Sequence, residues 1–154
     1  SPRAQLPLVM LSDNRRFQRI LFDDGSYMMN PHEGRGLALA DLDSDGDLDA
    51  ICANLNAPLA ILRNDLSNNS NWLQVQLIGT HSARDAIGAT VTATVGDRQL
   101  VRSYMSTSQE CLAWGLGEAQ EVQKLTVNWP SGTKTVLENV SVNQTLVLVE
   151  PLND

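Results

Sequence analysis

Residues that build covalent or zinc-based frameworks are scarce in this sequence. The 154 residues include two cysteines and two histidines, and aromatic residues make up 5%. Two cysteines supply no disulfide framework, and the cysteines and histidines show no zinc-ligand spacing. The apolar runs are far shorter than the roughly 20 residues that a membrane-spanning helix needs. These absences exclude disulfide-stapled, zinc-finger and membrane-spanning classes, and they leave a chain long enough for one or two ordinary domains.

Basic residues are also few. Eleven lysines and arginines stand against 18 acidic residues, which gives a net charge of −7. This sign argues against a nucleic acid partner, because phosphates require a basic surface. Five of the twelve aspartates lie between Asp41 and Asp49, and without them the net charge would be about −2. The acidity is therefore mostly local and calls for a local counter-charge.

Strand signals dominate the second half of the chain. Apolar and polar residues alternate over residues 72–78, 91–95 and 122–129, and a last apolar run covers residues 145–149. An alternation of period two indicates strands with one buried face, and turn residues separate these runs. Residues 71–150 therefore predict a small β-sandwich or barrel. The polar, turn-rich residues 65–71 are the predicted linker to the first part of the chain.

The acidic segment has the pattern of a calcium loop. Carboxylates at alternate positions followed by glycine suit a cation that takes six to eight oxygen ligands. The expected ligands are the side chains of Asp41, Asp43, Asp45 and Asp49 and the backbone carbonyl of Asp47, with Gly46 at the turn. An EF-hand would need an acid at position twelve, where this chain has Cys52. The alternative is a metal-free acidic turn, which would leave the mutual repulsion of the carboxylates unrelieved.

Residues 34–54, which contain this loop, resemble an FG-GAP or VCBS-type repeat, the blade unit of integrin-α-like β-propellers. Four later segments resemble, in order, those of an ASPIC/UnbV domain: residues 71–73, 82–89, 115–117 and 129–132. Ala83 and Trp114 depart from that pattern, where asparagine and phenylalanine are usual. The combination is similar to the C-terminal part of the cartilage acidic protein family and its bacterial relatives.

The resemblance implies an all-β protein in two parts. Residues 1–65 would form one propeller-blade-like unit with a calcium loop, and residues 71–150 a small β-sandwich or barrel of the ASPIC/UnbV type. It also implies Ca²⁺ as the bound ion and a secreted, periplasmic or cell-surface location. No established reaction accompanies this domain, so the chain is expected not to be an enzyme. Some UnbV members accompany enediyne biosynthesis clusters, which leaves an accessory role in such a pathway as an alternative.

Two other groups of residues are considered as functional sites, three tryptophans and a histidine–serine pair. Trp72, Trp114 and Trp129 raise the alternative of a carbohydrate-binding module, although tryptophans in strand-like runs are usually buried. His81 and Ser82 lie close together in sequence, but no nucleophile elbow supports a catalytic triad there. The first hypothesis is therefore a non-enzymatic calcium-binding module for adhesion or protein interaction, with an unidentified protein or glycan partner.

A single propeller blade cannot cover its own apolar faces. The side chains that need cover are Leu37, Leu39, Ile51, Ile61 and Leu62. The chain is thus expected to be the C-terminal part of a longer propeller protein. Its first segment would pack against residues 71–150 or against a second copy, which makes self-association an expected property.

Overall fold

A computed structural model describes residues 3–13, 16–23, 25–43, 45–65, 70–105 and 111–152. Within these ranges the chain forms twelve β-strands, one 3₁₀ turn at Tyr27–Met29 and no α-helix, which confirms the all-β prediction. No helix in the described part of the chain is long and apolar enough to cross a membrane. In chain order the strands are β1 (Met10–Asp13), β2 (Arg16–Arg19), β3 (Gly34–Ala40), β4 (Asp49–Asn54), β5 (Ala60–Leu62), β6 (Asn71–Ile78), β7 (Thr90–Val95), β8 (Arg98–Ser103), β9 (Leu112–Gly117), β10 (Glu121–Asn128), β11 (Lys134–Ser141) and β12 (Gln144–Val149).

The strands of the described ranges form four sheets, none of them closed into a barrel. β1 and β2 form a two-stranded antiparallel ribbon, and β3, β4 and β5 form a three-stranded sheet in that order. The remaining strands form a four-stranded sheet of order β11-β10-β7-β8 and a three-stranded sheet of order β12-β6-β9. The strands predicted from residues 72–78, 91–95, 122–129 and 145–149 correspond to β6, β7, β10 and β12, and β10 ends one residue earlier than predicted.

The four-stranded sheet and the β12-β6-β9 sheet share one hydrophobic core, so this part is a β-sandwich. Alternate residues of β6, β7 and β9 are buried in a single cluster, as a period of two requires for strands with one inward face, and Val122, Leu125 and Val127 of β10 join them. Leu73, Val75 and Val91 are fully buried within it, and Trp114 and Trp129 are 2% and 3% exposed. Burying each large apolar side chain contributes about 1.5–3 kcal/mol relative to leaving it in water.

Two parallel strands bring distant residues to one edge of the sandwich. β12 pairs parallel to β6, with Gln144 opposite Leu73 and Val149 opposite Ile78. Both strands therefore end at the same edge, and the residue after β12 meets the loop after β6. The backbone N–H of Glu150 continues the pairing by donating to the Ile78 carbonyl at 2.8 Å.

The carboxylate of Glu150 holds this loop in place. Its Oε2 accepts backbone N–H bonds from Thr80, His81 and Ser82 at 2.8, 3.0 and 2.8 Å. Its Oε1 accepts from the hydroxyls of Ser82 and Ser131. The side chain is 1% exposed. Burial alone would raise its pKa, but the bonds from Ser131, Ser82 and Thr80 outweigh burial and lower the pKa of Glu150 from 4.5 to about 2.

Contacts divide the chain into two units. The first comprises Ser1–Ala38 and Ile51–Leu62, and the second comprises Leu39–Ala50 and Arg63–Asp154. The acidic loop thus belongs to the same unit as the sandwich. The predicted boundary at residues 65–71 stays a prediction, and residues 66–69 of that linker lie outside the described residues.

Replacing Glu150 by glutamine tests the role of this buried carboxylate. Because the pKa of Glu150 is lower in the folded state, its stabilising effect is complete above about pH 4.5 and declines as the pH falls toward about 2. Glu150→Gln should lower the Tm by several degrees at pH 7, and the difference from the wild type should shrink progressively below pH 4.5. Circular dichroism melts across this pH range measure the effect.

The exposed Glu121 at the start of β10 offers the matched control. Glu121→Gln should leave the Tm close to that of the wild type over the same range. A Glu150→Gln deficit that is independent of pH would contradict the assigned cause.

Candidate metal centre

The acidic loop connects two neighbouring strands of one sheet. β3 ends at Ala40 and β4 begins at Asp49, so the chain reverses over eight residues, of which Ser44 lies outside the described part. The turn is made at Gly46, whose φ of +96° lies in the region that favours glycine. A short loop with carboxylates at alternate positions and a glycine at its turn can thus bring several of these side chains close to one another.

Three of the five predicted ligand residues come together in this loop. Carboxylate oxygens of Asp41, Asp43 and Asp45 all lie within 4.8 Å of one another. Asp41 is partly buried, whereas Asp43 and Asp45 are exposed, so the group opens to solvent on one side. Three hard, negatively charged oxygen donors at this spacing fit a divalent cation that prefers oxygen ligands, and they fit calcium in particular because its coordination is adaptable.

Backbone amides hold the carboxylate of Asp41. Its Oδ2 accepts the N–H of Gly46 at 3.0 Å, and its Oδ1 accepts the N–H of Asp45 at 3.2 Å. In turn, Oδ1 of Asp45 accepts the N–H of Asp47 at 2.9 Å. These bonds fold the loop back over its own first residue, which is how the side chains two and four positions apart come together.

Asp49, at the end of the acidic loop, is hydrogen-bonded to the start of the loop and to Asn64. It is 1% exposed, and its Oδ2 and Oδ1 accept the N–H groups of Leu42 and Asn64 at 3.0 and 2.8 Å. The bonds from Asn64 and Leu42 hold the pKa of Asp49 below its usual range. Asp49 lies outside the group of three carboxylates, so its predicted role as a ligand and that of the Asp47 carbonyl both stay predictions.

The electrostatics of the loop are unfavourable without a cation. The pKa of Asp43 is raised mainly by partial desolvation and to a smaller extent by repulsion from Asp45. The pKa of Asp47 is raised by desolvation and by the other loop carboxylates. Arg63 is the nearest described counter-charge, with its Nη1 at 4.0 Å from Oδ2 of Asp43, and it also pairs with Asp65 at 2.7 Å. Exposed ion pairs of this kind contribute little energy. A divalent cation would therefore offset a repulsion that the side chains leave in place.

The outer face of β6 supports the loop. Gln74, in the middle of β6, is only 4% exposed, and its Nε2 donates to Oδ2 of Asp41 at 3.0 Å. Two residues earlier, the indole of Trp72 lies directly over Gly46, where a Cβ atom would collide with the ring. Trp72 therefore packs on the acidic loop rather than forming an open platform for a sugar.

Two polar residues that the structure places at key points carry no local sequence signal. Gln74 and Gln76 both occupy polar positions of the same alternating run, residues 73–77. The alternation therefore does not distinguish the buried Gln74 from Gln76. Glu150 stands at the end of an apolar run before Pro151, which is a common position for an exposed residue. The partner Asp41 lies 33 positions from Gln74, and the partner Thr80 lies 70 positions from Glu150, beyond the reach of local patterns.

The fold and the loop together define a class: an all-β protein in which an acidic, oxygen-rich loop is seated on a β-sandwich. Residues 79–153 match the family model described as ASPIC and UnbV. The chain is also 30% identical, over 166 aligned positions, to Cartilage acidic protein 1 of Homo sapiens, an alignment covering 93% of this chain and 25% of that protein. The chain thus spans about a quarter of this relative's length. The ASPIC/UnbV part of the resemblance is confirmed, and the FG-GAP/VCBS part stays a prediction.

Gly46→Ala tests how closely the loop is fitted to the sandwich. A Cβ atom at Gly46 meets the Trp72 ring and also imposes an unfavourable backbone conformation, because φ is +96°. A residue held in such a region costs about 1–3 kcal/mol, and displacement of the ring adds to this. We expect a lower Tm and weaker calcium binding, measured by thermal unfolding and isothermal titration calorimetry.

Gly132 supplies the control, because its φ is +91° but nothing lies within 4 Å of the added Cβ. Gly132→Ala should cost only the backbone term of about 1–2 kcal/mol and leave calcium binding unchanged. Equal effects of the two substitutions on calcium affinity would contradict the fit between Trp72 and the loop.

Proposed function

We propose that this chain is a non-enzymatic, calcium-binding module of a longer extracellular propeller protein, used in adhesion or protein interaction. The observation that carries the proposal is the group of carboxylates from Asp41, Asp43 and Asp45, with oxygens within 4.8 Å of one another. Asp49 and the backbone carbonyl of Asp47 are the remaining ligands that the loop pattern offers. Bound Ca²⁺ would supply the positive charge that this loop lacks.

A structural role for the ion fits the rest of the site. The described residues around the loop are carboxylates, backbone amides, Gln74 and Trp72, which is a set that binds and orients. Ser82, the candidate nucleophile beside His81, instead directs its hydroxyl to Glu150 at 2.8 Å and accepts the N–H of Ser131 at 3.2 Å. These contacts support a binding module over an enzyme.

The proposed location outside the cell, whether secreted, periplasmic or at the cell surface, rests on the similar protein. Its name associates that protein with cartilage and with acidity, and the present chain carries a net charge of −7. The alternative of a carbohydrate-binding module is less favoured, because Trp114 and Trp129 are buried and Trp72 packs over Gly46. No feature of the described residues favours a role in an enediyne-type pathway.

Calcium should stabilise the folded protein. A ligand that binds only the folded state at a hundred times its Kd contributes about 2.7 kcal/mol, so calcium should raise the Tm and a chelator should lower it. Asp45→Ala should abolish most of the calcium-dependent shift, because it removes one of the three grouped carboxylates. Thermal melts with chelator, with millimolar calcium and with millimolar magnesium measure the effect.

Asp97 in the exposed β7–β8 turn serves as the control, and Asp97→Ala should retain the full calcium shift. Magnesium should compete poorly, because it demands compact octahedral geometry. Identical melts under all three conditions would overturn the calcium assignment, and tighter binding of magnesium would overturn its selectivity.

The first unit supports the proposal of a longer protein. All the buried apolar residues of the described chain lie at or after Leu73, whereas Leu37 and Ile61 are 62% and 61% exposed. Leu39, which belongs to the second unit, is 38% exposed. An apolar surface of this kind is normally covered in a complete protein. We infer that further blades of the same protein, or a second copy of this chain, cover it.

The isolated chain should therefore self-associate as its concentration rises. Light scattering across a concentration series should show growth in mass, and Leu37→Ser with Ile61→Ser should suppress it by removing exposed apolar area. Val101→Ser, a substitution at a 50% exposed residue of the sandwich, should not. A strictly monomeric chain, whose residues 36–63 exchange backbone hydrogens as slowly as its sandwich, would show that the first unit is complete without a partner.

A further inference from the structure

One hydrogen bond joins the proposed metal site to the sandwich. Nε2 of Gln74 donates to Oδ2 of Asp41 at 3.0 Å, across 33 positions of sequence, and both residues belong to the same unit. Gln74 lies in β6, the central strand of the β12-β6-β9 sheet, and is 4% exposed. A buried amide that donates to a carboxylate makes a charge-assisted bond, which is stronger than a bond between neutral groups.

The surroundings of Gln74 fix which way its amide points. An ionised carboxylate only accepts hydrogen bonds, so the NH₂ group must face Asp41. On the other side, Oε1 of Gln74 accepts from Sγ of Cys111 at 3.3 Å and from Oγ1 of Thr145 at 3.5 Å. Thr145 lies opposite Gln74 in β12, and Cys111 immediately precedes β9. Donors beside both neighbouring strands thus hold the carbonyl end, and the amide end is directed at the loop.

The carboxylate of Asp41 is consequently oriented from two sides. Gly46 and Gln74 both donate to Oδ2, while Oδ1 accepts a longer bond from the N–H of Asp45 within the loop. Partners that donate to a ligating carboxylate fix its orientation, and their loss commonly weakens metal binding 10–100-fold. The same bond makes the position of the loop depend on β6, and the Trp72 ring over Gly46 adds a second contact on the same strand.

We propose that Gln74 is a positioning residue of the calcium site, and that through it calcium binding is coupled to the stability of β6 in the sandwich. The proposal rests on the calcium binding proposed above. Coupling between two sites is reciprocal, so an ion that orders the loop also slows the opening of β6, and a substitution in β6 weakens binding of the ion. Calcium would then strengthen the sandwich, in which β7 to β12 lie within the residues 79–153 that match the ASPIC and UnbV family, although β6 and the ligands lie outside them.

The test compares Gln74→Leu with Gln76→Leu in the full chain. Leucine keeps most of the buried volume of glutamine and removes the donor. Gln76 is the matched control, because it lies on the same face of β6 two residues further along and opposite Val147. Isothermal titration with CaCl₂, well below the melting temperature of every variant, should give a 10–100-fold weaker Kd for Gln74→Leu. Gln76→Leu should stay within about twofold of the wild type, and Gln74→Ala serves as the second variant where leucine impairs folding.

Hydrogen exchange distinguishes a positioning role of Gln74 from a purely structural one. Only a positioning role makes the exchange of β6 depend on calcium. In the wild type, calcium should slow exchange both in the loop, residues 41–49, and in β6, residues 71–78, while β10 in the other sheet serves as the internal reference. In Gln74→Leu at saturating calcium, the loop should still be protected and the additional protection of β6 should be lost. Trp72 emission should report the same transition at correspondingly higher calcium concentrations.

The outcomes separate the two proposals. If the wild type does not bind calcium, the proposed function fails and this inference fails with it. If the wild type binds calcium while Gln74→Leu keeps the same Kd and the same calcium-dependent protection of β6, the role of Gln74 is overturned and the calcium site stands.

Discussion

Mutual repulsion among carboxylates is the constraint on which the acidic loop is built. Five aspartates lie within nine residues, and burial or repulsion raises the pKa of Asp43 and Asp47. Backbone N–H groups of the loop donate to the carboxylates of Asp41, Asp45 and Asp49. These bonds fix the fold of the loop and leave the oxygens of three carboxylates together. Backbone dipoles reduce the repulsion only in part, because they carry no net charge. A divalent cation is the simplest species that would complete the arrangement.

In the sandwich, the charge of the buried Glu150 is stabilised by hydrogen bonds alone. Glu150 is as buried as Asp49, but it accepts five hydrogen bonds, four from the loop after β6 and one from Ser131. Its charge is satisfied by protein donors alone, which is why its pKa falls to about 2 and why it offers no opening for a metal. The chain therefore uses one buried carboxylate to hold an edge of the sandwich, whereas a group of partly exposed carboxylates forms the proposed calcium site.

The acidic loop also covers part of the outer face of the sheet that contains β6. Gln74 and Trp72 face away from the hydrophobic core and toward the loop, so the outer face of the β12-β6-β9 sheet is partly covered by the residues that would hold calcium. Support of this kind makes a short loop precise, since its side chains are positioned by a packed sheet rather than by their own backbone alone. It also places the proposed calcium site in the same unit as the sandwich.

The sequence by itself determined the local features: the strands of the second half, the burial of Trp114 and Trp129, and the grouping of Asp41, Asp43 and Asp45 around Gly46. Each depends on residues a few positions apart: the period of two in a strand fixes which side chains share a face, and the close spacing of the aspartates keeps them within one turn. The tertiary structure alone decided the parallel pairing of β12 with β6, the burial of Glu150 and the difference between Gln74 and Gln76. These features depend on which distant segment covers a given face, and alternation within one strand carries no information about its neighbour.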